Sequence, residues 1–171
     1  MMDYELQQVL DAREERWQRR LQITTESGQT LVTVTLCLPL KCRTHADYAP
    51  LFLRLCGQVH ALLTLGGAEG TEPVFINGAD GPACFLSVSG DAAAVKRLCV
   101  AAEEQIPGGR MLDVDVMDSH GEPVGRSQLG LAPRRCFVCE QPAAVCVSRK
   151  LHDTEVILQK AEELRLAALK E

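Results

Sequence analysis

The chain has 171 residues, 46% apolar and 24% charged, with a net charge of −5, which fits one domain or one domain with a small appendage. The negative balance argues against non-specific nucleic-acid binding, which needs a basic footprint. No apolar run approaches a membrane span, and Met1-Met2-Asp3-Tyr4-Glu5 lacks the regions of a signal peptide, so a cytoplasmic location is expected. Aromatic residues make up only 4%, which leaves Leu, Val and Ala to build most of the core. Eight cysteines in that compartment are expected to be thiols or metal ligands, not disulfides.

Residues 3–21 predict a helix, with Leu6, Val9, Leu10 and Trp17 as one apolar stripe. Arg13 falls within that stripe, and Arg16 and Arg20 flank it. An arginine there snorkels, pairs with an acid such as Glu14 or Glu15, or meets an anionic ligand. Ser27-Gly28 marks a turn. Residues 31–38 alternate as a strand ended by Pro39, and 47–65 read as a helix with Pro50 in its first turn. Phe52, Leu55, Val59, Leu62 and Leu63 form its buried face, and Gly66-Gly67 ends it. Strands at 73–77 and 83–89 flank a loop containing Asn77-Gly78 and Asp80-Gly81-Pro82. Asp91 caps a helix over 92–106 with Val95, Leu98, Cys99 and Ala102 inward. Pro107-Gly108-Gly109 turns the chain into a last strand, 109–118. The order β-α-β-β-α-β over 31–118 predicts an α+β, ferredoxin-like sheet with two helices on one face. The first helix and a Cys/His-containing tail over 120–171 are additions to this single domain.

The last strand carries the sharpest chemical pattern. Leu112, Val114 and Val116 alternate onto one face, and Met111, Asp113, Asp115 and Met117 onto the other. Asp113 and Asp115 therefore point the same way, about 6.5 Å apart at the backbone. Neighbouring carboxylates repel, and a divalent cation between them removes the penalty. Mg²⁺ binds in this way, through one or two carboxylates and the phosphate oxygens of a substrate. The bland alternative is a solvated strand face.

His120-Gly121-Glu122-Pro123 opens the tail as a turn. Arg126, Arg134, Arg135, Arg149 and Lys150 then crowd into a short part of an otherwise acidic chain. That excess suits a polyphosphate site, or equally a solvated basic loop. Cys136, Cys139, Cys146 and His152 spell C-x2-C-x6-C-x5-H. A Cys₃His set suits structural Zn²⁺, with thiols packed in a loop as the alternative. Cys37, Cys42, Cys56, Cys84 and Cys99 read as small core residues. A final helix over 153–170 docks through Ile157, Ala161, Leu164 and Ala168.

Four stretches together resemble the apo-citrate lyase phosphoribosyl-dephospho-CoA transferase family. They are Ala12-Arg13-Glu14-Glu15-Arg16; Gly109-Arg110-Met111-Leu112-Asp113-Val114-Asp115-Val116; Leu129-Gly130-Leu131-Ala132-Pro133-Arg134-Arg135-Cys136; and the Cys139, Cys146 and His152 tail. The resemblance implies transfer of the 5-phosphoribosyl-dephospho-CoA unit from its triphosphate precursor, triphosphoribosyl-dephospho-CoA. The acceptor would be a serine of the apo acyl-carrier subunit of citrate lyase, and pyrophosphate would leave. It implies nucleotidyltransferase-like chemistry at Asp113 and Asp115 with Mg²⁺, and triphosphate binding by Arg13, Arg16, Arg110, Arg126, Arg134 and Arg135. The chain departs from the family pattern at Cys37-Leu38-Pro39-Leu40, at Gly125 and at Ser148. Two other readings are an equivalent transferase for another carrier, of the malonate decarboxylase type, and a non-catalytic zinc-stabilised interaction module.

Overall fold

The computed structural model describes residues 2–170. Four strands, β1 (Thr30–Leu36), β2 (Val74–Gly78), β3 (Gly81–Val88) and β4 (Leu112–Met117), form one sheet in the order β2-β3-β1-β4. Every neighbouring pair is antiparallel. Among the described residues six α-helices accompany it: α1 (Met2–Ser27), α2 (Leu40–Arg43), α3 (Ala49–Leu65), α4 (Ala92–Gln105), α5 (Ala143–Arg149) and α6 (Thr154–Leu169). The connection β1-α3-β2 passes over β3, and β3-α4-β4 passes over β1, so the two crossovers interleave.

Alternation along the strands decides which face each helix covers. Val32, Val34 and Leu36 of β1, Cys84, Leu86 and Val88 of β3, and Leu112, Val114 and Val116 of β4 are buried under α3 and α4. Each such aliphatic side chain contributes on the order of 1.5–3 kcal/mol through burial. The opposite face carries Leu31, Ala83, Phe85 and Met117, packed by Leu21 and Ile23 from the C-terminal half of α1. Asp91 caps α4 by accepting from the Ala94 N–H at 2.9 Å.

The strand predicted over 109–118 begins later. Gly109–Met111 is a 3₁₀ turn, and Met111 joins the core under α3 and α4, not the face of the aspartates. Gly108 sits at φ +82°, and a Cβ at Gly109 would lie 2.3 Å from the Ala102 carbonyl oxygen. The chain thus turns hard against the end of α4 before extending.

The docked face of α1 also differs from the predicted stripe. Leu6, Leu10 and Trp17 are 58%, 47% and 39% exposed, whereas Ala12 and Thr24 are buried and Arg16 and Arg20 half-buried. The helix meets the sheet where side chains are smallest. A Cβ at Gly78 would lie 3.1 Å from the Ala12 methyl group. That close approach turns the arginine-bearing side toward the sheet and leaves the larger apolar residues outside.

The free edge of β4 is closed by side chains. Glu103 accepts from the Val114 N–H at 2.9 Å, and Lys96 donates to the Val114 carbonyl at 2.6 Å. Both residues project from α4 and are buried. Val124 donates to the Val116 carbonyl at 2.8 Å further along. Part of an otherwise open ladder is thereby paired within the chain. The tail continues through α5 to α6, which buries Ala161 and Ala168 completely.

Candidate active site

Asp113 and Asp115 lie on the α1 side of β4, with half-exposed side chains. In register, Thr35 of β1 stands opposite Asp113 and Thr33 opposite Asp115. Each carboxylate is held by one arginine from a different part of the chain. Arg134 donates to Asp113 at 3.1 Å, and Arg20 to Asp115 at 3.3 Å. Burial and the charge of Asp115 raise the pKa of Asp113, against the pull of Arg134. The crowding of negative charge anticipated from the spacing is therefore present, and a divalent cation would relieve it. Among the described residues the Thr33 hydroxyl, opposite Asp115, and the Arg20 Nε are buried without hydrogen-bond partners. The hard carboxylate oxygens fit Mg²⁺, and the arginine N–H groups beside them fit a phosphate-bearing ligand.

The arginines separate into distinct settings. Arg16 pairs with Asp80, a buried aspartate between β2 and β3. Arg43 stands beside that pair, its pKa lowered by burial and by Arg13 and Arg16, against the pull of Asp80. Arg13 itself is exposed. Arg20 also stacks on Trp17, with Cζ 5.5 Å from the ring centroid. Arg134 is the hub. Besides Asp113 it reaches the Arg110 carbonyl at 3.0 Å, the Cys37 sulfur at 2.7 Å and the Leu112 carbonyl. Arg110 donates to the Cys136 carbonyl and so joins the start of β4 to the cysteine loop. Arg126 is held by Glu103, by Glu104 at 3.0 Å and by the Ala132 carbonyl at 3.3 Å. Arg135 is exposed and paired with Glu140 at 2.8 Å. Arg110, Arg126, Arg134 and Arg135 line one cleft of about 340 Å³ together with Glu103 and Glu104.

The structure thus brings Asp113, Asp115, Arg16 and Arg134 to the α1 side of the sheet and its β4 margin. Arg126 and Arg135 already have carboxylate partners in the cleft. Sequence reasoning left four participants outside the site: Arg20, named only as flanking a stripe, and Arg43, Asp80 and Thr33. It also placed Cys37 in the core, whereas this thiol lies half-buried against Arg134, its pKa pushed up to about 11 by burial. The one available signal was the recurrence of Arg13, Arg16 and Arg20 at helical spacing.

Cys136, Cys139, Cys146 and His152 converge, with one ligand atom from each within 4.8 Å of all the others. The Cys139 sulfur lies 3.3 Å from His152 Nε2 and 3.5 Å from the Cys146 sulfur, and the Cys136 sulfur lies 3.5 Å from His152 Nε2. Tetrahedral bonds of about 2.0–2.3 Å bring ligand atoms about this close. The set fits a zinc ion, with the ligands supplied by the loop before α5, by α5 itself and by the segment leading into α6.

The fold and its carboxylate site define a mixed helix-and-sheet protein with two strand aspartates, each gripped by an arginine. Residues 4–167 match the family described as apo-citrate lyase phosphoribosyl-dephospho-CoA transferase, and the chain belongs to that family. Proteins of that name from Shigella flexneri serotype 5b and Escherichia coli O1:K1 are each 31% identical over 92% of this chain and 86% of their own length. Haemophilus influenzae protein CitXG is 30% identical over 93% of this chain, which spans 34% of that longer protein.

Proposed function

We propose that the protein transfers the 5-phosphoribosyl-dephospho-CoA unit from its triphosphate precursor to a serine hydroxyl on the apo acyl-carrier subunit of citrate lyase. The serine oxygen forms a bond to the α-phosphorus, the bond from that phosphorus to the bridging oxygen breaks, the hydroxyl proton is lost and pyrophosphate leaves. The observation that carries this reading is the pair Asp113 and Asp115 on one strand face, each gripped by a separate arginine. A Mg²⁺ ion held by the two aspartates would neutralise charge on the transferring phosphate and the departing pyrophosphate. Arg20 and Arg134 orient the carboxylates. Arg13, Arg16 and Arg43 supply positive charge along α1 and α2 for the triphosphate, and Asp80 holds Arg16 in place. The test is pyrophosphate release from the triphosphate donor. Release that requires both Mg²⁺ and the apo-carrier supports the reading; none under those conditions contradicts it.

The Cys₃His set serves this reading as a structural zinc site. Four protein ligands would leave no open position for substrate, so a zinc ion there would pin the arginine-bearing loop to α5 and the start of α6. Arg110 extends that link to β4 through the Cys136 carbonyl.

A further inference from the structure

Along the cysteine loop, its lining shared with Cys136, Cys146 and His152 of the candidate zinc set, runs an open groove of about 780 Å³. Arg134 and Cys37 also line it, and Arg134 holds Asp113, so the groove lies one guanidinium away from the carboxylate site. Its walls are mostly apolar, with Leu38, Phe137, Ala144 and Val147 among them. Val147 is 77% exposed, an apolar side chain held in water at the groove wall. Lys150 lines the groove as well and has no acidic partner within ion-pair distance among the described residues. The volume lies within the range of about 300–1,000 Å³ that small-molecule and cofactor sites occupy.

We infer that this groove holds the dephospho-CoA part of the donor, which deepens the transferase reading and rests on it. The donor has two chemically different ends. Its triphosphate is compact and highly charged and suits the arginines and carboxylates under α1. The other end carries a flat adenine and a neutral pantetheine arm joined by a diphosphate, and needs a long apolar trough with a cation beside it. The groove offers that combination, and Arg134 gives it continuity with the carboxylate site. A folded carrier would instead call for a broad face, since stable protein interfaces cover about 800 Å² per partner.

Dephospho-CoA alone is the probe, because it lacks the ribosyl triphosphate and cannot react. It binds the wild-type protein without Mg²⁺ in calorimetry and competes with the donor in transfer. Val147→Glu places a charge on the groove wall at an exposed position. It weakens dephospho-CoA binding at least about tenfold and raises the donor KM by a similar factor, leaving the carrier KM unchanged. Lys150→Glu is the independent second variant, with the same direction of effect. Wild-type protein that makes holo-carrier yet binds no dephospho-CoA overturns the inference. So does a change in the carrier KM alone. Wild-type protein that binds dephospho-CoA and makes no holo-carrier overturns the transferase reading and leaves the groove standing.

Discussion

Asp113 sits where burial, Asp115 and Arg134 compete, and the first two prevail, raising its pKa above the ordinary 3.8. The native carboxyl therefore holds its proton to higher pH than the unfolded one. Native stability falls as pH rises from the ordinary value through the raised one. Asp113→Asn removes that cost. We predict that in metal-free buffer at pH 7 this variant melts no lower than wild type, and higher if Arg134 keeps its carbonyl partners. Its advantage vanishes in acid below the ordinary carboxylate range, and transfer falls at least about a hundredfold. A stable variant with near-normal transfer at low Mg²⁺ contradicts the site. Arg13 gives the complementary case. It is exposed, so Arg13→Ala alters stability by no more than about 0.5 kcal/mol. It raises the donor KM, and Arg13→Lys does not restore it, since an ammonium cannot reproduce the guanidinium fork. A sharp loss of melting temperature with unchanged kinetics would instead make Arg13 structural.

Among the elements, β4 joins the core to the chemistry. Val114 is 1% exposed while its two neighbouring aspartates are half-exposed. Val114→Asp places a charge among the aliphatic residues under α3 and α4 and is predicted to unfold the protein. A soluble, cooperatively melting variant in a thermal scan would show otherwise. Glu103→Ala leaves the Val114 N–H unpaired and strips Arg126 of a buried partner. It is expected to cost about 3–5 kcal/mol in denaturant unfolding, as broken buried pairs do; a loss below about 1 kcal/mol would contradict the clasp. The strands were legible because apolar and polar residues alternate in them, and that alternation also aimed Asp113 and Asp115 correctly. The clasp was not legible. Lys96 and Glu103 belong to no motif in the sequence, and only their bonds to Val114 in the fold reveal their role. For α1, Leu6, Leu10 and Trp17 formed the better apolar stripe, yet the small pair Ala12 and Gly78 sets the docking. The cysteine set was legible because its ligands lie close together in sequence. The pairing of Arg134 with Asp113 spans 21 residues and a turn of the chain, and no local pattern announces it.

Taken whole, the molecule is a four-stranded sheet with a packing face under α3 and α4 and a face toward α1 that carries Asp113 and Asp115, with the cysteine loop joined to the start of β4 through Arg110. Elemental analysis of protein purified without chelator is predicted to find one zinc per chain. Chelation then loosens residues 126–152 in hydrogen exchange and weakens donor binding, while the sheet core stays protected. Protein without stoichiometric zinc would make the four ligands packing residues and leave the Asp113 and Asp115 site as it stands. Transfer at that site is tested most directly by the intact mass of the apo acyl-carrier subunit of citrate lyase after incubation with the protein, the triphosphate donor and Mg²⁺. A gain equal to one phosphoribosyl-dephospho-CoA unit is predicted, lost with Asp113→Asn or Asp115→Asn. An unchanged carrier mass with folded wild-type protein, or an equal gain with either aspartate replaced, would contradict it.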